Sequence, residues 1–307
     1  MEPSLLTMAD ADRGAQLVRC GIRIGGISLG LTADASETGP FGCELRSFLC
    51  EAGNGDIEVS VKWVDSLDPL SRAPDFDSSA VWRLFSSGDE LIFDFTSGAF
   101  IPGLYKRVHT DHSFRSVRLY LNRCLLQGLP SVLPLEYPAD ELLFTNYLAH
   151  HGLGAEVHGC GIIDAESGGH LFLGHSGAGK STTTRLWETF ANPEILSDDR
   201  IILRLHDGEL WMYGTPWHGE AAFASPGKAR LSRIFILQHG KKNAMKRLSP
   251  TQSVGEVFAR CFPPFHSATG LERTLEFLSR ALAVVPCYEF EFVPDRSAVE
   301  TVRKFYD

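Results

Sequence analysis

The 307-residue chain has no pair of cysteines at C-x-x-C spacing, and its seven cysteines are an odd number: Cys20, Cys43, Cys50, Cys124, Cys160, Cys261 and Cys287. A disulfide framework and a four-thiolate zinc site are therefore not expected, and a reducing, cytoplasmic setting is. Long apolar runs are missing too. No stretch approaches the ~20 apolar residues that a membrane span needs. The opening Met1-Glu2-Pro3-Ser4-Leu5-Leu6 lacks the basic-then-apolar pattern of a secretion signal. No membrane association is expected. Positive charge is not in excess: the formal net charge is -9. Nucleic-acid affinity comes largely from neutralising phosphates, so nucleic acid is not an expected partner. A small anion held in a local basic pocket remains compatible with that charge. Repeats and low-complexity segments are absent.

What is present is the balance of a globular protein, with 44% hydrophobic and 22% charged residues. The length suits two ordinary domains or one large one. The first third reads as β-rich. Ile57 to Val64 alternates apolar and polar residues, as a half-buried strand does. Val81–Phe85 and Leu91–Phe95 flank a Gly-containing turn and predict a hairpin. Ser116–Leu121 predicts another strand, and 65–79, with Pro69 and Pro74, a loop. Gly128, Pro130, Pro134 and Pro138 then punctuate the chain. A helix with Leu142, Leu143, Tyr147 and Leu148 on its apolar side follows. The boundary is expected near residue 135, which makes 1–135 a β-rich domain and 136–307 a second one.

The second part alternates strands and helices. Strands are expected over Glu156–Ile163, His170–Gly174, a stretch ending near Leu196, and Arg233–Gln238. Ile201–Leu205 and Leu210–Tyr213 predict a hairpin about His206-Asp207-Gly208. Helices are expected from Lys180 to about Phe190, and from Ser249-Pro250 with Val254, Val257, Phe258 and Cys261 on one face. The pattern is that of an α/β domain with a mixed sheet and helices packed on it.

One segment carries chemistry by itself. Gly174-His175-Ser176-Gly177-Ala178-Gly179-Lys180-Ser181 matches G-x-x-x-x-G-K-[ST] at every fixed position. The glycines let several backbone N–H groups point at one anion, and the following helix adds the positive end of its dipole. In this pattern Lys180 reaches the β and γ phosphates, and the Ser181 hydroxyl binds Mg²⁺, with Thr182 next in the first turn. The expected cofactors are ATP and Mg²⁺. Fifteen residues on, Glu194-Ile195-Leu196 delivers Ser197-Asp198-Asp199-Arg200. One carboxylate there could hold the metal and the other take a proton from an attacking hydroxyl. Adjacent acids repel, so one of them is expected to have a raised pKa.

Val157-His158-Gly159, then a strand, then the glycine-rich loop, then Ser197-Asp198-Asp199-Arg200 resembles HPr kinase/phosphorylase, whose core also occurs in phosphoenolpyruvate carboxykinases. The resemblance covers about residues 155–215. It implies an HPr kinase C-terminal/PEP carboxykinase-like P-loop core. It also implies that His158 lies near the transferred phosphate, that Lys180 binds phosphate, and that Ser181 holds Mg²⁺ with Asp198 in support. Asp199 would deprotonate an acceptor serine. The chain departs from that family in two places. Where the family carries an E-I-R-G-x-G element, residues 213–220 read Tyr-Gly-Thr-Pro-Trp-His-Gly-Glu. Glu220 stands there as a candidate metal ligand or a plain surface carboxylate. The family's arginine-containing C-terminal loop has no counterpart.

The expected activity is therefore kinase transfer to a serine of a peptide, a protein or a small molecule by a divergent relative, and the resemblance implies a homo-oligomer, as that family commonly is. The alternative is an ATP-binding regulatory or interaction module without kinase activity, in which 1–134 carries the main function. A carboxykinase acting on a small acid is disfavoured because the chain is short for that family. Other signals are read as structural. Gly240–Arg247 is expected to be a solvated basic loop, with attraction of an acidic substrate as the sharper reading. Lys228 and Arg230 are expected on a surface loop, with a role facing phosphate or substrate as the sharper reading, and Cys261–His266 as a helix end with a proline turn. His109, Asp111 and His112 are a poor metal set.

Overall fold

The computed structural model describes residues 7–8, 17–35, 43–79, 81–97, 101–127 and 134–305. The chain packs as two compact units. One comprises Met1–Arg23 and Ile27–Tyr147, the other Ile24–Gly26 and Leu148–Asp307. The protein is of the α/β class, with two mixed sheets and six helices among the described residues. No helix among them is long and apolar enough to cross a membrane.

In the first unit β1 (Thr7–Met8), β2 (Leu17–Ile24), β3 (Ile27–Asp34), β4 (Leu49–Cys50), β5 (Ile57–Val64), β6 (Phe76–Asp77), β7 (Trp82–Ser87), β8 (Glu90–Ser97), β9 (Ile101–Asp111) and β10 (Ser116–Asn122) build one sheet. Its order is β1-β2-β3-β5-β10-β9-β8-β7-β6, with β4 on β2. The alternation in β5 is real: Ile57, Val59 and Val61 are buried while Glu58, Ser60 and Lys62 are more open. The β7–β8 hairpin turns at Gly88, whose φ of +59° a side chain would strain. Strands β2 and β3 lie in a stretch for which the sequence predicts no element. The short helix α1 (Arg123–Leu126) follows β10, and α2 (Ala139–His150) leads from this unit into the next. Gly128 and Pro130 lie outside the described residues.

The second unit contains β11 (Gly154–Asp164), β12 (Gly168–Leu173), α3 (Lys180–Ala191), β13 (Glu194–Ser197), β14 (Arg200–His206), β15 (Glu209–Tyr213), β16 (Lys228–His239), β17 (Ala244–Arg247), α4 (Pro250–Phe258), α5 (Ala268–Ala281), β18 (Cys287–Phe292) and α6 (Arg296–Lys304). The long strands β11 and β16 each change partners along their length. β11 pairs β14 over residues 154–158 and β12 over 159–164. β16 pairs β15 near its start, then β12 and β18 in parallel. Because β12 pairs both β11 and β16, the strands β12, β11, β14, β15 and β16 form a closed circuit.

Helices cover both faces of the parallel part. Leu171, Leu173, Ile234 and Ile236 join Val257 of α4 and Phe277, Leu278 and Ala281 of α5 in one core. Phe172, Phe235, Leu237, Phe290 and Phe292 join Trp187 of α3 and Val299 and Val302 of α6 in another. Strand segments buried on both faces are apolar, which is why Leu171–Leu173 of β12 and Ile234–Leu237 of β16 read as runs rather than alternations. Ser249 caps α4 in a capping box with Gln252, with Pro250 in the first turn.

Four expectations need correction here. Arg233–Gln238 is the second half of a longer strand, and Lys228 and Arg230 lie on that strand instead of a loop. Lys228 Nζ sits 5.2 Å from the Trp211 ring centre and Arg230 pairs with Glu209 at 3.2 Å. Ala244–Arg247 is an edge strand paired with β18, although Lys246 and Arg247 are exposed. Cys261 lies beyond α4 and bridges to Val157 on β11. α5, β18 and α6 lie where the sequence predicts no element.

Candidate functional site

The chain leaves the sheet at the C-terminal end of β12, where open α/β sheets place their ligand crevices. Gly177 and Gly179 adopt φ of +80° and +100°. A Cβ on Gly179 would stand 2.6 Å from Phe292 Cζ, so neither the conformation nor the space admits a side chain. Ala178 N–H donates to the His175 carbonyl at 3.0 Å. Gly179 then caps α3 with no side-chain hydrogen bond and no acid in the first turn. First-turn amides have no intrahelical partner, so this end of α3 is a set of donors at the positive end of a dipole.

Lys180 curls back across the loop. Its Nζ donates to the Gly174 carbonyl at 3.0 Å and the His175 carbonyl at 3.3 Å. Burial pushes its pKa down, against the opposing pull of Cys160, Asp199 and Asp198; the Arg260 charge adds to the downward push. The same groups thus lie within electrostatic reach of the amine. Ser181 is half-buried and Thr182 exposed, and so are His175 and Ser176. The hydroxyl of buried Thr183 has no hydrogen-bond partner among the described residues. On the outer side His239 Nε2 lies 2.9 Å from the Gly177 carbonyl.

The acid turn joins β13 to β14. Ser197 is fully buried and organises it, accepting from the amides of Asp199 and Arg200 at 3.2 and 3.1 Å and donating to the Trp217 carbonyl at 2.8 Å. The two acids face different surroundings. Asp198 is buried and accepts backbone N–H bonds from Gly219 (2.9 Å), Ala221 (2.8 Å) and Phe223 (3.2 Å). It holds the 217–224 segment in place, and Glu220 stands exposed on that segment. Asp199 is partly open. Its Oδ1 lies 3.1 Å from His158 Nε2 and its Oδ2 3.3 Å from Arg200 Nε.

The raised pKa expected from repulsion between the acids is not found at Asp199. Burial pushes it upward, but the hydrogen bond from His158 and the Arg200 charge outweigh burial and hold it below the ordinary carboxylate value. The two carboxylates point to different partners, which removes the crowding that the sequence suggests.

His158 sits on β11 where that strand passes from β14 to β12. Its N–H donates to the Arg260 carbonyl at 2.7 Å, and the Gly159 N–H to the Asp199 carbonyl at 2.9 Å. The backbone of Val157-His158-Gly159 is thereby tied to the acid turn. Gly159 is glycine for a packing reason: a Cβ there would meet Leu173 Cδ2 at 2.5 Å and the Phe172 carbonyl at 2.8 Å. The His158 ring faces Phe262 at 5.9 Å between centres, and the Arg200 guanidinium lies 4.5 Å from the Phe262 ring centre. Arg200 also pairs with buried Glu156 at 3.2 Å.

Lys180, Asp198 and Asp199 therefore gather at one end of this unit, and His158 joins them through Asp199. Arg260, Phe262 and His239 were not legible as site residues. Arg260 and Phe262 reach the site because their segment hydrogen-bonds along β11, a pairing across about a hundred positions that no local motif encodes. The described residues contain no group of three or more His, Cys, Asp or Glu side chains placed to hold a metal ion. A divalent ion here would draw on Ser181, an acid of the turn and oxygens of a bound phosphate. A search against protein-family models finds no match, and a search of curated proteins finds no significant one.

Proposed function

We propose that the chain is an ATP-dependent phosphotransferase of the HPr kinase-like kind, with a P-loop core, that phosphorylates a serine hydroxyl of a peptide, a protein or a small molecule. The observation that carries this reading is the His158–Asp199 contact of 3.1 Å beside the turn whose acids act on Lys180. A loop built only to hold a nucleotide needs the amides of Gly174–Ser181 and the amine of Lys180. It does not need a histidine–carboxylate pair at its mouth.

The site's residues suit the roles. Backbone amides of the loop and the first turn of α3 hold the β and γ phosphates, and Lys180 exchanges two carbonyl partners for phosphate oxygens. A desolvated amine that bonds only carbonyls gains a counter-charge when the phosphate arrives. Ser181, with Asp198, would hold Mg²⁺, which neutralises phosphate charge during transfer. Asp198 would do so while sharing its oxygens with three amides. The His158–Asp199 pair takes the acceptor's hydroxyl proton, and Phe262 and Arg200 wall that side of the site.

The test is incubation with γ-labelled ATP and a panel of free serine, serine-containing peptides and candidate proteins. Labelled acceptor is expected, and Asp199→Asn should lower its formation by about 10²–10⁴-fold, the span of general-base effects. No label on any acceptor, with ATP still bound and a partner captured in its presence, would make the chain a nucleotide-gated binding module instead.

A further inference from the structure

We infer that the group that takes the acceptor's proton is Nδ1 of His158, and that Asp199 orients the ring instead of taking the proton itself. This rests on the phosphotransfer reading above, and it moves the base from the residue to which the family resemblance assigns it.

The hydrogen-bond inventory is the basis. Both oxygens of Asp199 are engaged, Oδ1 by His158 Nε2 at 3.1 Å and Oδ2 by Arg200 Nε at 3.3 Å. An ionised carboxylate only accepts, so the proton of the first contact belongs to Nε2. A neutral imidazole carries one N–H, so Nδ1 keeps its lone pair. Nδ1 has no hydrogen-bond partner among the described residues, and the ring is 29% exposed. Nδ1 is thus the ring atom left over to take a proton. The remaining neighbours hold this arrangement in place. His158 N–H is fixed on the Arg260 carbonyl, Phe262 flanks the ring, and the Arg200 charge is shared between Asp199 and Glu156. Lys180 and Arg260 supply positive charge, and neither can accept a proton from the acceptor.

The step balances. The acceptor O–H bond breaks and its proton passes to His158 Nδ1 as the oxygen forms a bond to the γ-phosphorus. The bond from that phosphorus to the β–γ bridging oxygen breaks, and its electron pair leaves with ADP. The imidazolium, stabilised by Asp199 at Nε2, then returns one proton to water. This is the division of labour by which a carboxylate fixes a histidine tautomer in hydrolytic triads.

Two measurements decide it. In the intact chain labelled with ¹⁵N-histidine, the His158 signal in its neutral form should show the proton on Nε2 and none on Nδ1. Asp199→Asn should weaken that preference. The opposite tautomer overturns the assignment whether or not transfer is seen. In the γ-labelled ATP assay with the best serine acceptor, His158→Gln is the informative change. Glutamine can still donate to Asp199 but offers no ring base. Its kcat should fall about 10²–10⁴-fold with KM for ATP within about threefold. A His158→Gln enzyme that keeps kcat within about threefold overturns the assignment and returns the base to Asp199. A wild-type chain that transfers no label overturns the phosphotransfer reading itself, and the tautomer measurement tells that failure apart from a failure of this assignment.

Discussion

In the loop at 174–181 the contacts are local. Lys180 reaches the carbonyls of Gly174 and His175, six and five residues back, and Ala178 closes on His175. In the turn at 197–200 the partners come from afar. Asp199 meets His158, and Asp198 collects amides 21, 23 and 25 residues further on. A loop made of local contacts can be read as a motif. A turn whose side chains are committed at long range is visible in sequence only as two acids. Its neighbours show that the acids are not interchangeable, one bracing a segment and the other paired with a histidine.

The sharpest way to break this comparison is Asp198→Ala. It leaves three amides without their acceptor and should cost about 3 kcal/mol of folding stability, measured by urea unfolding. Unchanged stability with loss of Mg²⁺-dependent nucleotide binding would make Asp198 a metal ligand first and a brace second. On the loop side, Lys180→Met should weaken binding of a non-hydrolysable ATP analogue about 100-fold, or about 2.7 kcal/mol, by calorimetry. Its melting temperature should not fall, because the change removes a buried charge. A large loss of stability would show that the amine is a structural strut.

A smaller effect concerns the strand that leads into the loop. His170 on β12 is fully buried, against Phe172, Trp187 and Phe235, and burial pushes its pKa down to about 4, with Arg233 adding to the shift. The unfolded chain protonates this group near pH 6.5, before the folded one does. Its contribution is therefore complete above pH 6.5 and is lost as pH falls towards 4, by about 2.5 kcal/mol at pH 4.5. Urea midpoints of the wild type and His170→Gln should differ in slope across that window, and parallel profiles would sink the prediction. The smallest effect is expected of Gly179→Ala, at about 1–2 kcal/mol from strain at positive φ. Adding Phe292→Leu should recover only the contact part. Full recovery would mean that crowding, not backbone conformation, keeps glycine there.

Sequence reading succeeded where a signal is short-range. The period of β5, the hairpin turn at Gly88, the hairpin at Asp207-Gly208, the cap of α4 and the strand–loop–helix order around Gly174 are all encoded within a few residues. It missed α5, β18 and α6. It also mistook Lys228 and Arg230 for a loop, because the Lys228 ammonium lies over aromatic rings of a neighbouring strand and no local pattern announces them. At the site, the types of His158, Lys180 and the two acids were legible, and their division of work was not.

The sequence by itself determined that a tight, glycine-dependent loop opens a helix here, because backbone conformation and helix ends depend on adjacent residues. Only the tertiary structure decided that Asp199 faces His158, that Asp198 is spent on the 219–223 amides, and that the segment of Arg260 and Phe262 runs beside β11. Those are meetings of residues far apart in the chain. They are set by how β11 and β16 change partners, and a side chain's proton affinity follows from what it meets.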